Sequence, residues 1–467
     1  MALDELRVER VVLKNGMRVL LLPRPESPSV SYEVRIKVGS VDEPRGKSGL
    51  AHMLEHMMFK GTRSIGTLDY QKEKVILQEI DNLVEKLGQA PSENRFDLQQ
   101  EINRCIEKTR QYQVPGEFDR LYSQAGEVGL NASTSTDVTS YHVTLPRGRM
   151  EFWAAMERER MIGPVFREFY AERDVVLRER AQRVDASDKG KLYEELLLHA
   201  FSFSPYRYPV IGIRSEIEQL TRRDLKDFYA RFYTPENMVV AIAGGFDPRE
   251  AKRILNQYLA EIPSSPIVEK PIMPEPAKTH SVRIVRKSKE EPQLIMSYLK
   301  PTLPHIDDTC FDVIQEMLVG GKTARLTQRL VTQKRIASSV DAYNGFPGAR
   351  FDNLFMIIAA PFSGVTNQEL QDAIKIELFR LQSEPVDASE IERAKRRMKK
   401  SILLSLETDT GAAGLLSYFE LLAGDYRYMY ENLKTIESIT PDMIMECSRN
   451  YLREANEVIV SLEGEPE

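Results

Sequence analysis

The chain has 467 residues, 42% hydrophobic and 29% charged, with a formal net charge of −6. At about 100–200 residues per domain this predicts roughly two to four domains, with cores large enough to stand without disulfide support. The acidic balance and the lack of a basic stripe exclude nucleic acid and anionic membranes as main partners, and no run of about 18 apolar residues is present to span a bilayer.

The first residues, MALDELRVERVVL, contain no signal-peptide core. The chain therefore reads as soluble and cytoplasmic as it stands, or periplasmic if a leader has been removed. Strands are predicted at 9–13, 17–23 and 30–38. A helix at 48–59 follows, with Ser48 as its N-cap. At about 100° per residue, His52, Glu55 and His56 share one face of it, and Leu50, Leu54, Met57 and Met58 supply most of the apolar face. Two neutral imidazoles at i and i+4 can hold one Zn²⁺. A carboxylate one turn from the first can take a proton from a water whose pKa the metal lowers to about 7. The bland alternative is a His–Glu–His ion-pair face on a solvated helix, but two of only six histidines fall here.

Residues 69–112 are rich in Glu, Lys, Gln and Arg at helical spacing and break at GQAPSEN (88–94). They read as an αα-hairpin inserted into the first half, lying outside the metal chemistry. Leu130–Thr136 alternates with period two and reads as an exposed edge strand. Further strands are predicted at 138–145 and 238–243, and helices at 149–160, 166–187 and 248–260. The stretch 263–280 carries five prolines and reads as a semi-rigid linker. Beyond it, strands are predicted at 281–287, 293–299, 338–345, 353–360 and 457–462. Helices are predicted there at 307–318, 324–333, 367–383, 388–406 and 413–422. Cys105, Cys310 and Cys447 are odd in number and far apart in sequence, which excludes a disulfide scaffold and a cysteine zinc finger.

The two halves repeat. Leu220–Gly245 lies over Ile439–Gly464 at a shift of 219, matching Thr221 with Thr440, Phe232 with Tyr451 and Asn237 with Asn456. Ala51–Gly61 lies over Phe311–Gly321 at a shift of 260, matching Met57 with Met317 and Gly61 with Gly321. The difference of 41 residues is the size of the predicted hairpin. The fold class is α+β: two homologous domains, each a mixed, mainly antiparallel sheet with helices packed on one face. The domains are 1–262 and 281–467.

HxxEH, here His52 to His56, is an inverted zinc motif. The run GLAHMLEHMMFKGT (49–62) closely resembles the pitrilysin/insulysin (M16) metallopeptidases. So do LKNGMRVLLLP (13–23), LNASTSTDVTSYHV (130–143), ERDVVLRE (172–179), SPYRYPVIG (204–212) and FYTPENMVVAIAGGFD (232–247). The length of one duplicated unit resembles the subgroup of mitochondrial processing peptidase and its bacterial relatives. Spacing leaves Glu157, Glu159, Glu168, Glu172 and Glu179 open as the third metal ligand. The resemblance of ERDVVLRE selects Glu179 and implies that Glu172 supports the site from behind. It further implies one Zn²⁺ per chain on His52, His56 and Glu179, with Glu55 as general base. Asn131 and Ala132 would lie on an edge strand that pairs with the substrate backbone, and unfolded or short peptides would be enclosed between clam-like halves.

The second half departs from the metal pattern, with Asp312, Gln315 and Glu316 where the first has His52, Glu55 and His56. The family also places an Arg and a Tyr, seven residues apart, in its second domain. With Arg325-Leu326 in register those positions are Val331 and Ser338, while Arg329, Arg335 and Tyr343 lie nearby but out of register. The resemblance therefore implies a zinc-bearing subunit paired with a homologous Arg/Tyr-bearing partner. A self-sufficient homodimer and a non-catalytic assembly or scaffold subunit are the alternatives.

Overall fold

The computed structural model describes residues 6–267 and 274–464. Of the predicted linker, residues 268–273 lie outside the described residues. The first sheet comprises β1 (Glu9–Val12), β2 (Arg18–Pro23), β3 (Ser29–Ile36), β4 (Val128–Thr134), β5 (Thr139–Pro146) and β6 (Met238–Gly244). Its order is β1-β2-β6-β3-β5-β4, with β2 and β6 parallel and the other neighbours antiparallel. The helices interleaved with it are α1 (Leu50–Met57), α2 (Tyr70–Gln89), α3 (Arg95–Arg110), α4 (Glu117–Gln124) and α5 (Met150–Ile162). They continue with α6 (Phe169–Arg180), α7 (Asp188–Ala200), α8 (Arg214–Ile217), α9 (Arg222–Phe232) and α10 (Pro248–Tyr258).

The second sheet comprises β7 (Val282–Ser288), β8 (Gln293–Lys300), β9 (Ala337–Phe346), β10 (Asn353–Pro361) and β11 (Glu457–Gly464), in the order β7-β11-β8-β10-β9. Its helices are α11 (Ile306–Val319), α12 (Asn367–Ser383), α13 (Ala388–Glu407), α14 (Asp409–Leu422), α15 (Tyr428–Ser438) and α16 (Pro441–Tyr451). Among the described residues, no helix is long and apolar enough to cross a membrane.

The repeat read from the sequence recurs in local chemistry. Thr221 and Thr440 both cap a helix, accepting from the backbone N–H of Asp224 and Met443. The Asn237 amide donates to the Lys37 and Phe232 carbonyls, and Asn456 to those of Leu299 and Tyr451, so each pins a helix end to a neighbouring strand. Gly61 and Gly321 both have positive φ, 88° and 97°, and a Cβ at either would strike a guanidinium, of Arg167 and Arg397 respectively. Only glycine fits both demands.

The helices of each half pack on one face of that half's own sheet, as expected. The other face takes a single helix from the opposite half. Ala412, Ala413, Leu416 and Phe419 of α14 form one buried cluster with Leu20, Leu22, Ala241 and Ala243 of the first sheet. Leu192 and Leu196 of α7 do the same with Ile295, Val458, Val460 and Leu462 of the second. This explains why all seven residues of β6 are buried: a strand covered on both faces reads as a continuous apolar run. The helix predicted at 166–187 proves to be α6 followed by a turn of π-helix at Ala181–Asp185; α7 restarts at a Ser187 cap that accepts from Gly190 N–H. The predicted 324–333 helix is wound as π over Thr327–Gln333.

The insertion at 69–112 is a hairpin of α2 and α3, with Leu77, Ile80, Leu83, Ile102 and Cys105 buried between them. It is anchored rather than merely solvated. Asp81 receives both Arg222 and Lys226 of α9 at 2.7 Å. Glu73, fully buried, holds the Arg167 guanidinium at 2.9 and 3.1 Å. The remaining Arg167 donors go to the carbonyls of Lys60, Thr62 and Ile65, fastening the turn just after α1. Removing one partner of a buried ion pair strands the other charge, typically at about 3–5 kcal/mol. Glu73→Ala is accordingly expected to lower unfolding stability by roughly that amount in urea titrations, with no change in slope.

Candidate metal centre

The helix that carries His52 does not start on Ser48 as the sequence suggested. Gly49 occupies the N-cap position at φ 88°, and the Ser48 hydroxyl instead accepts from Ile213 N–H at 2.8 Å. The free N–H groups of the first turn go to carboxylates: Glu43 takes Gly49 and Ala51 at 2.9 and 2.8 Å, and Glu216 takes Ser48 at 2.8 Å. The N–H groups at a helix N-terminus need acceptors, and these two carboxyls, one nearby in sequence and one remote, replace the local cap. Burial nevertheless holds the Glu43 carboxyl well above its ordinary range, against those backbone bonds.

One turn on, the His52 and His56 Nε2 atoms lie 3.2 Å apart, with their rings nearly perpendicular. The Glu179 Oε2, from the end of α6, lies 3.8 Å from the first and 3.7 Å from the second. The other Glu179 oxygen is held by Arg183 at 2.7 Å. Behind His56, Nδ1 meets Glu172 Oε1 at 2.8 Å, and Glu172 Oε2 takes the Lys60 ammonium at 2.7 Å. A carboxylate on Nδ1 fixes the proton there and turns the Nε2 lone pair toward His52 and Glu179.

Two nitrogen lone pairs and a carboxylate oxygen thus converge on one point, an arrangement that a divalent cation relieves. The donor set is the kind that suits Zn²⁺. Among the described residues two groups of three donors are close enough to share an ion: this one, and Asp307 with Cys310 and Cys447. Burial, then the nearby His56 and Arg183 charges, push His52 down to about 4, so it is a neutral donor at neutral pH; its Nδ1 is buried without a hydrogen-bond partner. For His56 burial acts downward too, but the Glu172 hydrogen bond and charge outweigh it and the pKa rises. Burial would raise Glu172, yet bonds from His56 and Lys60 hold it down to about 2.

Glu55 sits beside the cluster in hydrogen-bonding contact with Thr134 of β4. Its pKa is raised, chiefly by burial and also by Glu179, against Thr134 and His56. β4 is an edge strand, hydrogen-bonded only to β5 and with a register shift between Val128 and Asn131. Asn131 and Ala132 lie on it, and the Ala132 N–H is taken by Asn131's own Oδ1 at 2.9 Å. A cavity of about 410 Å³ opens between this strand, Glu55, His56, Phe59 and Phe118. Its far wall is Gln113–Asp119, the segment leaving the hairpin, which is tied by Val114 N–H to the Gly66 carbonyl at 3.1 Å. Sequence reading missed Lys60, Arg183 and this wall. The first two stand four residues after His56 and Glu179, so helical spacing could have found them; the wall is brought in by tertiary packing alone.

In the second half the matched helix is differently employed. Asn344 donates to Asp312 at 2.7 Å, and its N–H bonds Gln315 at 2.7 Å, while Glu316 faces Arg397 at 3.4 Å. Burial, then Asp308, push Asp312 up to about 7. Val331 packs against the second core, and the Ser338 hydroxyl donates to the Ala360 carbonyl at 3.2 Å. Arg329 is paired with the buried Glu377 at 3.1 Å, Arg335 sits in a turn at φ 52°, and Tyr343 is exposed on β9.

The duplicated α+β fold is one shared with proteins of the peptidase class. Residues 18–86 match the family model described as insulinase (peptidase family M16), and residues 219–398 match that of the peptidase M16 inactive domain. The chain is 25% identical to the zinc protease PqqE of Helicobacter pylori, over 97% of this chain and 92% of that one. It is 24% identical to a probable mitochondrial-processing peptidase subunit beta of Arabidopsis thaliana, over 94% of this chain and 75% of that one. The crystal structure of a protease from Helicobacter pylori superposes with a TM-score of 0.82 at 24% identity, covering 98% of this chain and 99% of that one. The chain belongs to the M16 peptidase family.

Replacing Glu172 with Gln removes the charge that raises His56 while keeping a polar partner. The His56 pKa, read from its ring-proton shift in metal-free protein, is expected to fall, and that of His52 to change far less.

Proposed function

We propose that this chain is the zinc-bearing subunit of a metalloendopeptidase that cleaves unfolded or short peptides. The observation that carries the reading is the convergence of His52, His56 and Glu179 beside the carboxyl of Glu55. In this reading the catalytic unit is residues 1–262, residues 263–280 connect it to a homologous metal-free unit, and that unit is 281–467. His52, His56 and Glu179 hold the metal, and Glu172 orients His56. Zn²⁺ there would lower the pKa of a bound water to about 7 and polarise the scissile carbonyl. Glu55, with its raised pKa, takes the proton from the attacking water and passes it to the leaving amine. The peptide lies along β4 as an added strand, its carbonyl replacing Asn131 Oδ1 on the Ala132 N–H. Substrate side chains on that strand reach the cavity walled by Phe59, Phe118 and Gln113–Asp119.

Glu55→Gln is expected to keep stoichiometric zinc and lose peptide hydrolysis by about 10²–10⁴-fold. Glu179→Ala is expected to lose the metal; zinc retained in full by that variant, measured by elemental analysis, defeats the ligand assignment.

The chain offers no Arg or Tyr at the positions of Val331 and Ser338. Nothing among those positions neutralises the oxyanion that forms on the substrate, and one missing donor of this kind costs about 10²–10³ in rate. A homologous subunit carrying Arg and Tyr would supply both across the cavity between two clam-like halves. Hydrolysis of a quenched peptide by this chain alone is therefore expected to be residual and to rise by at least about 10²-fold with such a partner. Full activity of the isolated chain, unchanged in Val331→Arg/Ser338→Tyr, would instead establish a self-sufficient homodimer. The second reading, a non-catalytic assembly subunit, draws on the inactive-domain match over residues 219–398; zinc bound without turnover in any mixture would favour it.

A further inference from the structure

Two of the three cysteines, distant in sequence, meet in the second half. Cys310 lies one turn into α11 and Cys447 in the middle of α16, 137 residues apart. Each is 1% exposed. Their sulfurs and a carboxylate oxygen of Asp307 all lie within 4.8 Å of one another, and the Cys447 thiol donates to the Asp307 carbonyl at 3.8 Å. Cys105, the third, is buried in the hairpin among Leu77, Ile80 and Ile102.

We infer that Cys310 and Cys447 are a disulfide-forming pair that can tie α11 to α16. The helices pack directly, and both thiols face one shared, nearly solvent-free seam between Phe311, Ile314 and Ile444. A bond of about 2.05 Å asks the two sulfurs to close the remaining gap by side-chain rotation on helices already in contact. A metal is the poorer occupant. The set offers three donors in a seam closed to solvent, so the fourth position that Zn²⁺ fills with water at an open site has no supply here. The positive end of α11 opposes a cation, and the buried Lys300 ammonium nearby is already paired with Asp308. Asp307 is also engaged by the Tyr451 hydroxyl at 2.7 Å.

The co-reactant is a small organic disulfide such as oxidised glutathione. One thiolate attacks it, releases one glutathione thiolate and forms a mixed disulfide. The second protein thiolate then attacks the protein sulfur of that bond and releases the second glutathione. Two protein S–H bonds become one S–S bond, two protons pass to the two glutathione thiols, and the oxidant takes up the two electrons. Burial makes the first step slow, because α16 must loosen from α11 to admit the reagent.

The test equilibrates the full chain in excess oxidised glutathione, then unfolds it and labels with N-ethylmaleimide. The oxidised chain is expected to take one label, on Cys105, against three in the reduced chain. Before labelling its mass falls by two hydrogens, and a digest yields one linked pair containing Cys310 and Cys447. The Cys105→Ser chain should still form the link, and Cys447→Ser should abolish it. Closing a 137-residue loop should also raise the thermal midpoint by several degrees, reversibly with dithiothreitol and not in Cys447→Ser. Three labels after equilibration, stable glutathione adducts on both cysteines, or stoichiometric zinc in a His52→Ala/His56→Ala chain that protects both thiols would overturn the assignment. None of these readouts depends on peptide hydrolysis.

Discussion

Two imidazole nitrogens and a carboxylate oxygen pointing at one spot is the constraint on which the first half depends. Without a cation those donors repel, so the surrounding structure must hold them there. Helix α1 supplies two of them at a spacing set by its own geometry, but its position is determined from outside. Glu43 and Glu216 hold its start, Arg167 fastens the turn at its end, and α6 delivers Glu179 from more than a hundred residues downstream. Glu172 and Arg183 then fix His56 and Glu179 in orientation. Arg167 is matched by Glu73, Glu172 by Lys60 and Arg183 by Glu179, so the centre sits in a polar network within an apolar shell.

The duplication shows which parts of that network belong to the fold and which to the chemistry. Helix caps, the asparagine clamps before β6 and β11, and the glycine beneath an arginine occur in both halves. They fix a helix against a sheet and need no metal. The convergent His/His/Glu set occurs once among the described residues. In the other copy Asp312 and Gln315 are engaged by Asn344, and Glu316 faces Arg397, so the three side chains are turned to separate partners.

Much of this was legible in the sequence because it is local. His52, Glu55 and His56 follow from helical spacing, and the hairpin follows from its charge pattern and the break at 88–94. The repeat emerged from matched apolar positions, and its matched threonines, Thr221 and Thr440, are helix caps in the structure. Other features were not legible, for one physical reason: they depend on partners remote in sequence. Ser48 looked like a cap by residue type, but its hydroxyl bonds Ile213 and its N–H goes to Glu216, both more than 160 residues away. Glu179 could not be separated from four other glutamates by spacing, and only family resemblance singled it out. Helix α7 was missed because its apolar face is shaped to the sheet of the other half, and the pairing of Cys310 with Cys447 because nothing local announces it.

The exchange of α7 and α14 between the halves has a consequence for synthesis. The first sheet is complete once β6 has been made, yet the face bearing Leu20, Leu22, Ala241 and Ala243 receives its cover only when α14 emerges, 178 residues after Gly244. At about 5–20 residues per second, that leaves the apolar face open for roughly ten to forty seconds on the ribosome. During that interval the nascent chain is a half-covered sheet. Its solubility then rests on whatever shields that surface until Leu416 and Phe419 arrive.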